Sequence, residues 1–270
     1  MEIHEVRCKT CITKSKLSDY VINPYVGCQH GCKYCYATFI RRFQNIKEEW
    51  GNFCYAKINC PDLLKKELER NKPGHIWMSS VTDCYTPLEN KYGLTRKILE
   101  TIAVSPYKDK FSLEILTKSA LVKRDFDLLE ELNVELGMSL NSLDERVSRI
   151  IEPLASPPRE RVKTLREAKE RGIRVYGFIS PVLPGITNLE ELFRELSFCD
   201  YFWVELLNTK PSVLASLMPV IEKNFPDKMK EFDFAINYPE EYYKKIRQEV
   251  EILKKKYNLK IKEIIMHSTD

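Results

Sequence analysis

Short apolar runs alternate with amphipathic stretches along most of the chain, and that alternation predicts a β/α series. Ile76–Ser80, Phe111–Thr117, Val134–Leu140, Arg174–Ser180 and Tyr201–Leu206 read as strands. Leu94–Ala103, Asp125–Leu132, Asp144–Ile151, Arg159–Arg171, Leu189–Leu196 and Ser212–Asn224 carry apolar residues at helical spacing. Each strand run reads as apolar on both faces, the pattern of buried parallel strands. A first strand near Val21–Val26 brings the series to about six β-α units, short of the roughly eight of a complete barrel. The expected fold class is therefore α/β, a partial (β/α)6 TIM-type barrel over residues 21–225. Residues 1–20 form an N-terminal arm and residues 226–270 a C-terminal extension. Within that extension Pro239–Lys256 reads as one charged helix and Leu259–Ile265 as a final strand. Tyr36–Trp50 reads as a further amphipathic helix.

Composition narrows the class of molecule. The chain has 270 residues, 43% of them hydrophobic and 30% charged, as expected of a globular domain with a sizeable core. Lys and Arg exceed Asp and Glu by 43 to 39, too small an excess to demand nucleic acid or an anionic membrane as partner. The longest apolar stretch is interrupted by Pro181, Pro184 and Gly185, so no membrane span is expected. The N-terminus carries no secretory pattern, and the expected location is cytoplasmic. Glycine spacing matches neither a dinucleotide fingerprint nor a phosphate-binding loop.

Cysteine changes the picture. Seven of the nine cysteines fall within the first 60 residues, at 8, 11, 28, 32, 35, 54 and 60. An odd, clustered set points to metal or redox chemistry in a reducing compartment and away from a disulfide scaffold. The sharpest feature is Cys28-x3-Cys32-x2-Cys35, flanked by Asn23-Pro24-Tyr25, His30-Gly31 and Tyr34. Thiolates are soft ligands for iron–sulfur clusters or zinc. Structural zinc wants a fourth ligand, for which only His30 is at hand, in an awkward position between two ligating neighbours. Three thiolates on a [4Fe–4S] cluster would leave one iron open for chemistry. The triplet also follows the first expected strand, on the side where barrel enzymes place their active sites.

These residues resemble the signature of the radical S-adenosylmethionine (radical SAM) superfamily. The longer strings Asn23-Pro24-Tyr25, Tyr34-Cys35-Tyr36-Ala37, Ser79-Ser80-Val81-Thr82-Asp83, Leu116-Thr117-Lys118-Ser119 and Pro181-Val182-Leu183-Pro184-Gly185 are similar to the spore photoproduct lyase-like group, often called "DNA repair photolyase". The resemblance implies that Cys28, Cys32 and Cys35 hold a [4Fe–4S] cluster whose open iron binds S-adenosylmethionine. Reductive cleavage would then give a 5′-deoxyadenosyl radical that abstracts hydrogen from an unidentified substrate. It implies a low-potential electron donor of flavodoxin or ferredoxin type. Motif position makes Tyr34, Ser80, Asp83, Lys118, Ser139, Asn141 and Arg161 candidates for binding the cofactor. Cys84, with Tyr85 as relay, is a candidate hydrogen donor. Glu205, a carboxylate in an apolar run ended by Asn208, is a candidate substrate contact. Glu152, before Pro153, reads equally as a site group or a loop carboxylate.

Two further readings stay open. Cys8, Cys11, Cys54 and Cys60 are candidates for a second cluster or a zinc site, or are small buried residues; a second cluster would suit a methyl- or sulfur-transferring relative, and zinc a non-enzymatic binding module. Residues 1–72 hold 13 basic against 8 acidic side chains, interleaved with Phe39, Phe43, Trp50, Phe53 and Tyr55. That mixture suits a single-stranded nucleic acid, but it suits better an ordinary amphipathic helix laid on the barrel.

Overall fold

The computed structural model describes residues 1–267. Its strands are β1 (Glu2–Val6), β2 (Ile12–Lys14), β3 (Tyr20–Ile22), β4 (Tyr25–Val26), β5 (Phe53–Lys57), β6 (Gly74–Met78), β7 (Phe111–Thr117), β8 (Val134–Leu140), β9 (Arg174–Val182), β10 (Tyr201–Leu206) and β11 (Ile261–Ile265). The main sheet runs β11-β10-β9-β8-β7-β6-β3-β2. From β3 to β11 every neighbour is parallel; β2 alone is antiparallel, at the β3 edge. No pairing joins β11 to β2 among the described residues, so the barrel is open. A second sheet, β1-β5-β4, lies at the N-terminal side.

The predicted strands and most predicted helices are present. Leu94–Ala103 is a helix whose Ile98, Leu99 and Ile102 are buried in the main core, while Leu94 at its start packs with Tyr25, Cys54 and Leu88 in a separate cluster. The last strand, β11, adds a seventh parallel strand beside β10. The expectation that each strand is apolar on both faces is corrected. In β7, Phe111, Leu113 and Ile115 are buried among helices, while Ser112 and Glu114 alternate with them and line a cavity. Period-two geometry gives such a strand one core face and one cavity face, and a partial barrel that must admit ligands cannot fill its inner face with hydrocarbon.

The region before β6 differs most from expectation. The arm is strand-forming, since β1 pairs with β5 from Glu2↔Phe53 to Val6↔Lys57. Tyr36–Trp50 is not one helix: a 3-10 turn over Tyr36–Phe39 leads into a short helix, Ile40–Phe43, which ends before Gln44. The helices Cys60–Arg70 and Met229–Asn237 were not anticipated. Cys11 and Cys60 form a disulfide that ties the arm to the Cys60–Arg70 helix, against the expectation of reduced or metal-bound thiols.

Candidate active site

The cysteine loop is shaped by backbone that few residues adopt. Gly27 has φ +81°, and a Cβ there would lie 2.4 Å from the Phe53 ring and 2.8 Å from the Phe53 carbonyl oxygen. Only glycine lets the loop enter its turn so close to β5. From the far side the loop is held by the end of helix Glu145–Ile151 and the turn after it: Lys33 N donates to Ile151 O at 2.9 Å, and Leu154 N donates to His30 O at 3.3 Å. So anchored, the loop presents Cys28, Cys32 and Cys35 to one wall of a cavity of about 1000 Å³, counting its open mouth. The C-terminal ends of β6 to β10 form the rest, through Ser79, Ser80, Lys118, Ser139, Ser180 and Glu205.

Behind the thiols lies a buried polar network. Glu152 pairs with Arg161 at 2.6 Å, both side chains 1% exposed. Tyr34 donates its hydroxyl to Glu152, and Asn141 Nδ2 donates to the same carboxylate at 3.0 Å. Arg161 is otherwise spent on the carbonyls of Ser156 and Ser139 and on Ser148 Oγ. Burial pushes the Glu152 carboxyl up, but Arg161 and Lys118 outweigh it and hold the group below the usual carboxylate range. Burial likewise opposes the Lys118 charge, yet Cys32 and Glu152 keep its ammonium above its ordinary value. That ammonium lies 5.7 Å over the Tyr34 ring.

A second pair braces the loop from β6. His30, 1% exposed, sets Nδ1 3.3 Å from Asp83 Oδ2. Burial opposes the imidazolium, but Cys28 and Asp83 raise His30 to about 10. Asp83, raised by burial, is brought down to about 2 by His30 and by its donors. Those donors are the Tyr85 backbone N–H at 2.8 Å, Thr117 Oγ1 at 2.7 Å and the Lys118 backbone N–H at 2.8 Å.

The candidates named from the sequence thus divide. Cys28, Cys32, Cys35, Tyr34, Ser80, Lys118, Ser139 and Glu205 line the cavity. Asp83 lines it too, but its oxygens are already engaged in bracing the loop. Asn141 and Arg161 sit behind the wall, on Glu152. Cys84 and Tyr85 are a correction: both are fully buried in the main core and do not line the cavity. The Tyr85 hydroxyl turns away to Asp125 at 3.1 Å. The four other thiols do not gather either, since Cys11 and Cys60 are bonded to each other and Cys54 lies beside the Gly27 carbonyl in a separate core.

Sequence reasoning missed three groups here. Ser79 sits at φ +69°, a left-handed conformation costly for a residue with a Cβ, at the very end of β6. Trp77 offers an indole N–H to the cavity wall. His267, beyond β11, places Nε2 3.1 Å from Glu205, which also accepts from the Ser180 hydroxyl. A short motif search cannot find a histidine delivered from the far end of the chain.

The site fits an iron–sulfur cluster with a nucleotide-like cofactor on several counts. Among the described residues no three His, Cys, Asp or Glu side chains converge as a single metal ion requires. The three loop thiols instead share the wall of one larger space, as ligands of a polynuclear cluster do. Burial pushes Cys32 and Cys35 up to about 11 and about 12, so ligation must release their protons. Ser79 Oγ, Thr82 Oγ1 and Trp77 Nε1 are buried in the same wall without a hydrogen-bond partner. Orphaned polar atoms of this kind call for a ligand or ordered water.

The family model of the Radical SAM superfamily matches residues 22–196. The chain belongs to that superfamily. It is 35% identical to an uncharacterized protein of Methanocaldococcus jannaschii over 99% of this chain and 98% of that one. It is 37% identical to an uncharacterized protein of Acidianus two-tailed virus, over 67% of this chain and 62% of the relative. In fold it is similar to spore photoproduct lyase complexed with dinucleoside spore photoproduct, with a TM-score of 0.70 at 18% identity, covering 97% of this chain and 82% of that chain. A mutant of that lyase with bound AdoMet gives a TM-score of 0.60 at 21% identity, over 84% of this chain and 67% of the other. The open parallel sheet and its helices are therefore the radical SAM fold of spore photoproduct lyase. Members of the superfamily carry an iron–sulfur cluster and use S-adenosylmethionine. No helix among the described residues is long and apolar enough to cross a membrane.

Proposed function

We propose that this chain is a radical SAM enzyme in which Cys28, Cys32 and Cys35 hold a [4Fe–4S] cluster and the adjoining cavity takes S-adenosylmethionine and substrate. The observation that carries the proposal is that the three loop thiols and the C-terminal ends of β6 to β10 line one and the same cavity. When bound, the cluster and cofactor would supply radical chemistry able to take a hydrogen atom from the substrate.

The chain's own residues hold, orient and shield. Lys118 keeps a positive charge beside Cys32, where it would hold the carboxylate of the cofactor in a charge-assisted contact. Ser79 and Ser80 after β6 and Ser139 at the end of β8 offer hydroxyls for the amino acid and ribose groups. Trp77, Phe178 and Leu116 give the cavity apolar walls that keep water from a reactive radical. Glu205 with Ser180 and His267 forms a polar wall for substrate. The four remaining N-terminal cysteines take no part in this reading.

The test is anaerobic reconstitution with iron and sulfide, followed by dithionite reduction with S-adenosylmethionine. About four irons per chain and 5′-deoxyadenosine as product are expected. Cys28→Ala, Cys32→Ala and Cys35→Ala should each abolish the cluster's visible absorbance and the product. Full activity in any one of them overturns the ligand assignment.

A further inference from the structure

The cysteine loop has an outer face as well as an inner one. Cys32 lines the active-site cavity and also a second hollow on the outside of the loop. That hollow lies between Gly31–Lys33, the short helical segment Tyr36–Phe43 and the helix Pro211–Asn224. Its charge is one-sided: Lys33, Arg41 and Arg42 line it, against Glu49 alone. From Gly31 to Lys47 the chain has four basic side chains, Lys33, Arg41, Arg42 and Lys47, and no acidic one. Its apolar groups point outward. Phe39 is 42% exposed and Phe43 81%, their rings edge to face at 5.9 Å. Arg41 spends one guanidinium nitrogen on the Lys47 carbonyl at 2.9 Å, while its Nε is buried with no partner among the described residues.

Exposed phenylalanines beside arginines, rimmed by polar side chains, have the composition of a protein-binding patch and not of an ordinary solvated surface. The position is equally specific. A partner seated here is separated from the proposed cluster by the Cys32 segment and Trp50, which line both hollows, and it leaves the substrate cavity free. We propose that this face docks the protein that reduces the cluster, a small acidic one-electron carrier of flavodoxin type; the inference rests on the function proposed above. One electron leaves the carrier's reduced flavin and one enters the oxidised cluster, with no bond made or broken. The basic rim steers the acidic carrier, and Phe39 and Phe43 supply the dry centre of the contact. A single-stranded nucleic acid would also meet arginines and rings here, but its bases would lie outside the cavity into which the reactive wall opens.

The experiment uses reconstituted, cluster-loaded enzyme and a purified acidic flavodoxin as probe. Calorimetric binding is measured at low and at raised salt, and cluster reduction is followed by stopped-flow absorbance with reduced flavodoxin or with dithionite. Arg41→Glu combined with Arg42→Glu should weaken flavodoxin binding at least tenfold and slow reduction by flavodoxin to match. Reduction by dithionite and the 5′-deoxyadenosine yield with dithionite should not change. Phe43→Ala, at an exposed position that folding does not need, should lose several-fold in affinity. Wild-type affinity should fall as salt rises. Binding and flavodoxin-driven reduction that survive both changes overturn the proposal, as does the absence of any complex with wild type. It is overturned too if the charge reversal removes affinity for a single-stranded oligonucleotide and spares flavodoxin. Failure of wild type to make 5′-deoxyadenosine with dithionite would sink the enzymatic reading instead, and the binding comparison would still decide the docking face.

Discussion

Replacing Glu152 by Ala tests whether the network behind the thiols anchors the cysteine loop. The carboxylate is 1% exposed and faces Arg161 at 2.6 Å, with Tyr34 and Asn141 donating to it. Its removal leaves a guanidinium, also 1% exposed, with only neutral acceptors. Stranding one member of a buried pair costs about 3–5 kcal/mol, a large part of a total stability of roughly 5–15 kcal/mol. At about 2–4 °C per kcal/mol for a chain near this size, the melting temperature should drop by roughly 10 °C. Glu152→Gln keeps an acceptor for Tyr34 and Asn141 and should lose less. The carboxyl is held below its ordinary range in the fold, so its stabilisation is complete above the unfolded-chain value of about 4.3 and fades as pH falls through the folded value. The gap between wild type and Glu152→Gln should therefore stay constant from neutral pH down to about 5 and narrow below that. The assay is thermal unfolding of cluster-free protein by circular dichroism, with iron per chain after reconstitution as a second readout. If Glu152→Ala unfolds within about 1 kcal/mol of wild type and loads iron normally, the network does not hold the loop and the reasoning fails.

Three further outcomes are expected. Lys118→Ala should weaken S-adenosylmethionine binding roughly 10- to 100-fold, the loss of one charge-assisted contact, at unchanged iron content; equilibrium dialysis on loaded protein checks it, and equal affinity removes Lys118 from the site. Gly27→Ala forces a side chain into a backbone at φ +81° and to within 2.4 Å of the Phe53 ring, so urea unfolding should show a loss of several kcal/mol, on the order of the largest single-residue effects; a mild loss would mean the loop can shift. Cys84→Ala removes a buried thiol that does not reach the cavity. It should cost about 1–2 kcal/mol of stability and leave both 5′-deoxyadenosine formation and product yield from substrate intact; because a hydrogen donor acts after cofactor cleavage, a tenfold fall in product yield with cleavage unchanged would reinstate Cys84 as a donor.

The fold was legible where one periodicity ran long enough to dominate. Leu94–Ala103 matches its predicted bounds because four apolar residues at i, i+4 spacing leave no other way to bury them. The strands from β6 to β10 were legible as apolar runs, although which face was which was not, because Glu114 and Ser112 look like surface residues until a cavity is known to need them. The N-terminal region was illegible for a different reason. Strand β1 is exposed on nearly all its residues and exists only because β5 lies beside it, so its stabilisation is a long-range pairing with no local signature. The Tyr36–Trp50 stretch has helical spacing but ends at Phe43, and its exposed aromatics are better explained by a partner than by a core.

At the site, the gathering of the thiol triplet was legible because three cysteines within eight residues must lie close together whatever the fold does. The strand-end polar residues were legible as to place, since parallel β/α architecture sends them all to one rim. Their roles were not, and the difference lies in what each already holds. Asp83 and Lys118 stand on neighbouring strand ends and look alike in a motif. Yet Asp83 is surrounded by His30, Thr117 and two backbone N–H groups, so any cofactor amine would have to displace existing bonds. Lys118, half-buried beside Cys32 and Glu152, is held in its charged form and has no carboxylate bonded to it directly among the described residues, so an incoming carboxylate finds an ammonium ready to pair. Arg161 shows the same logic from the other side. Motif position makes it a candidate for a carboxylate of cofactor or substrate, but the carboxylate it faces in the fold is that of Glu152. A sequence discloses which groups arrive at a rim; only the count of their satisfied bonds separates those that build the wall from those that remain to meet a ligand.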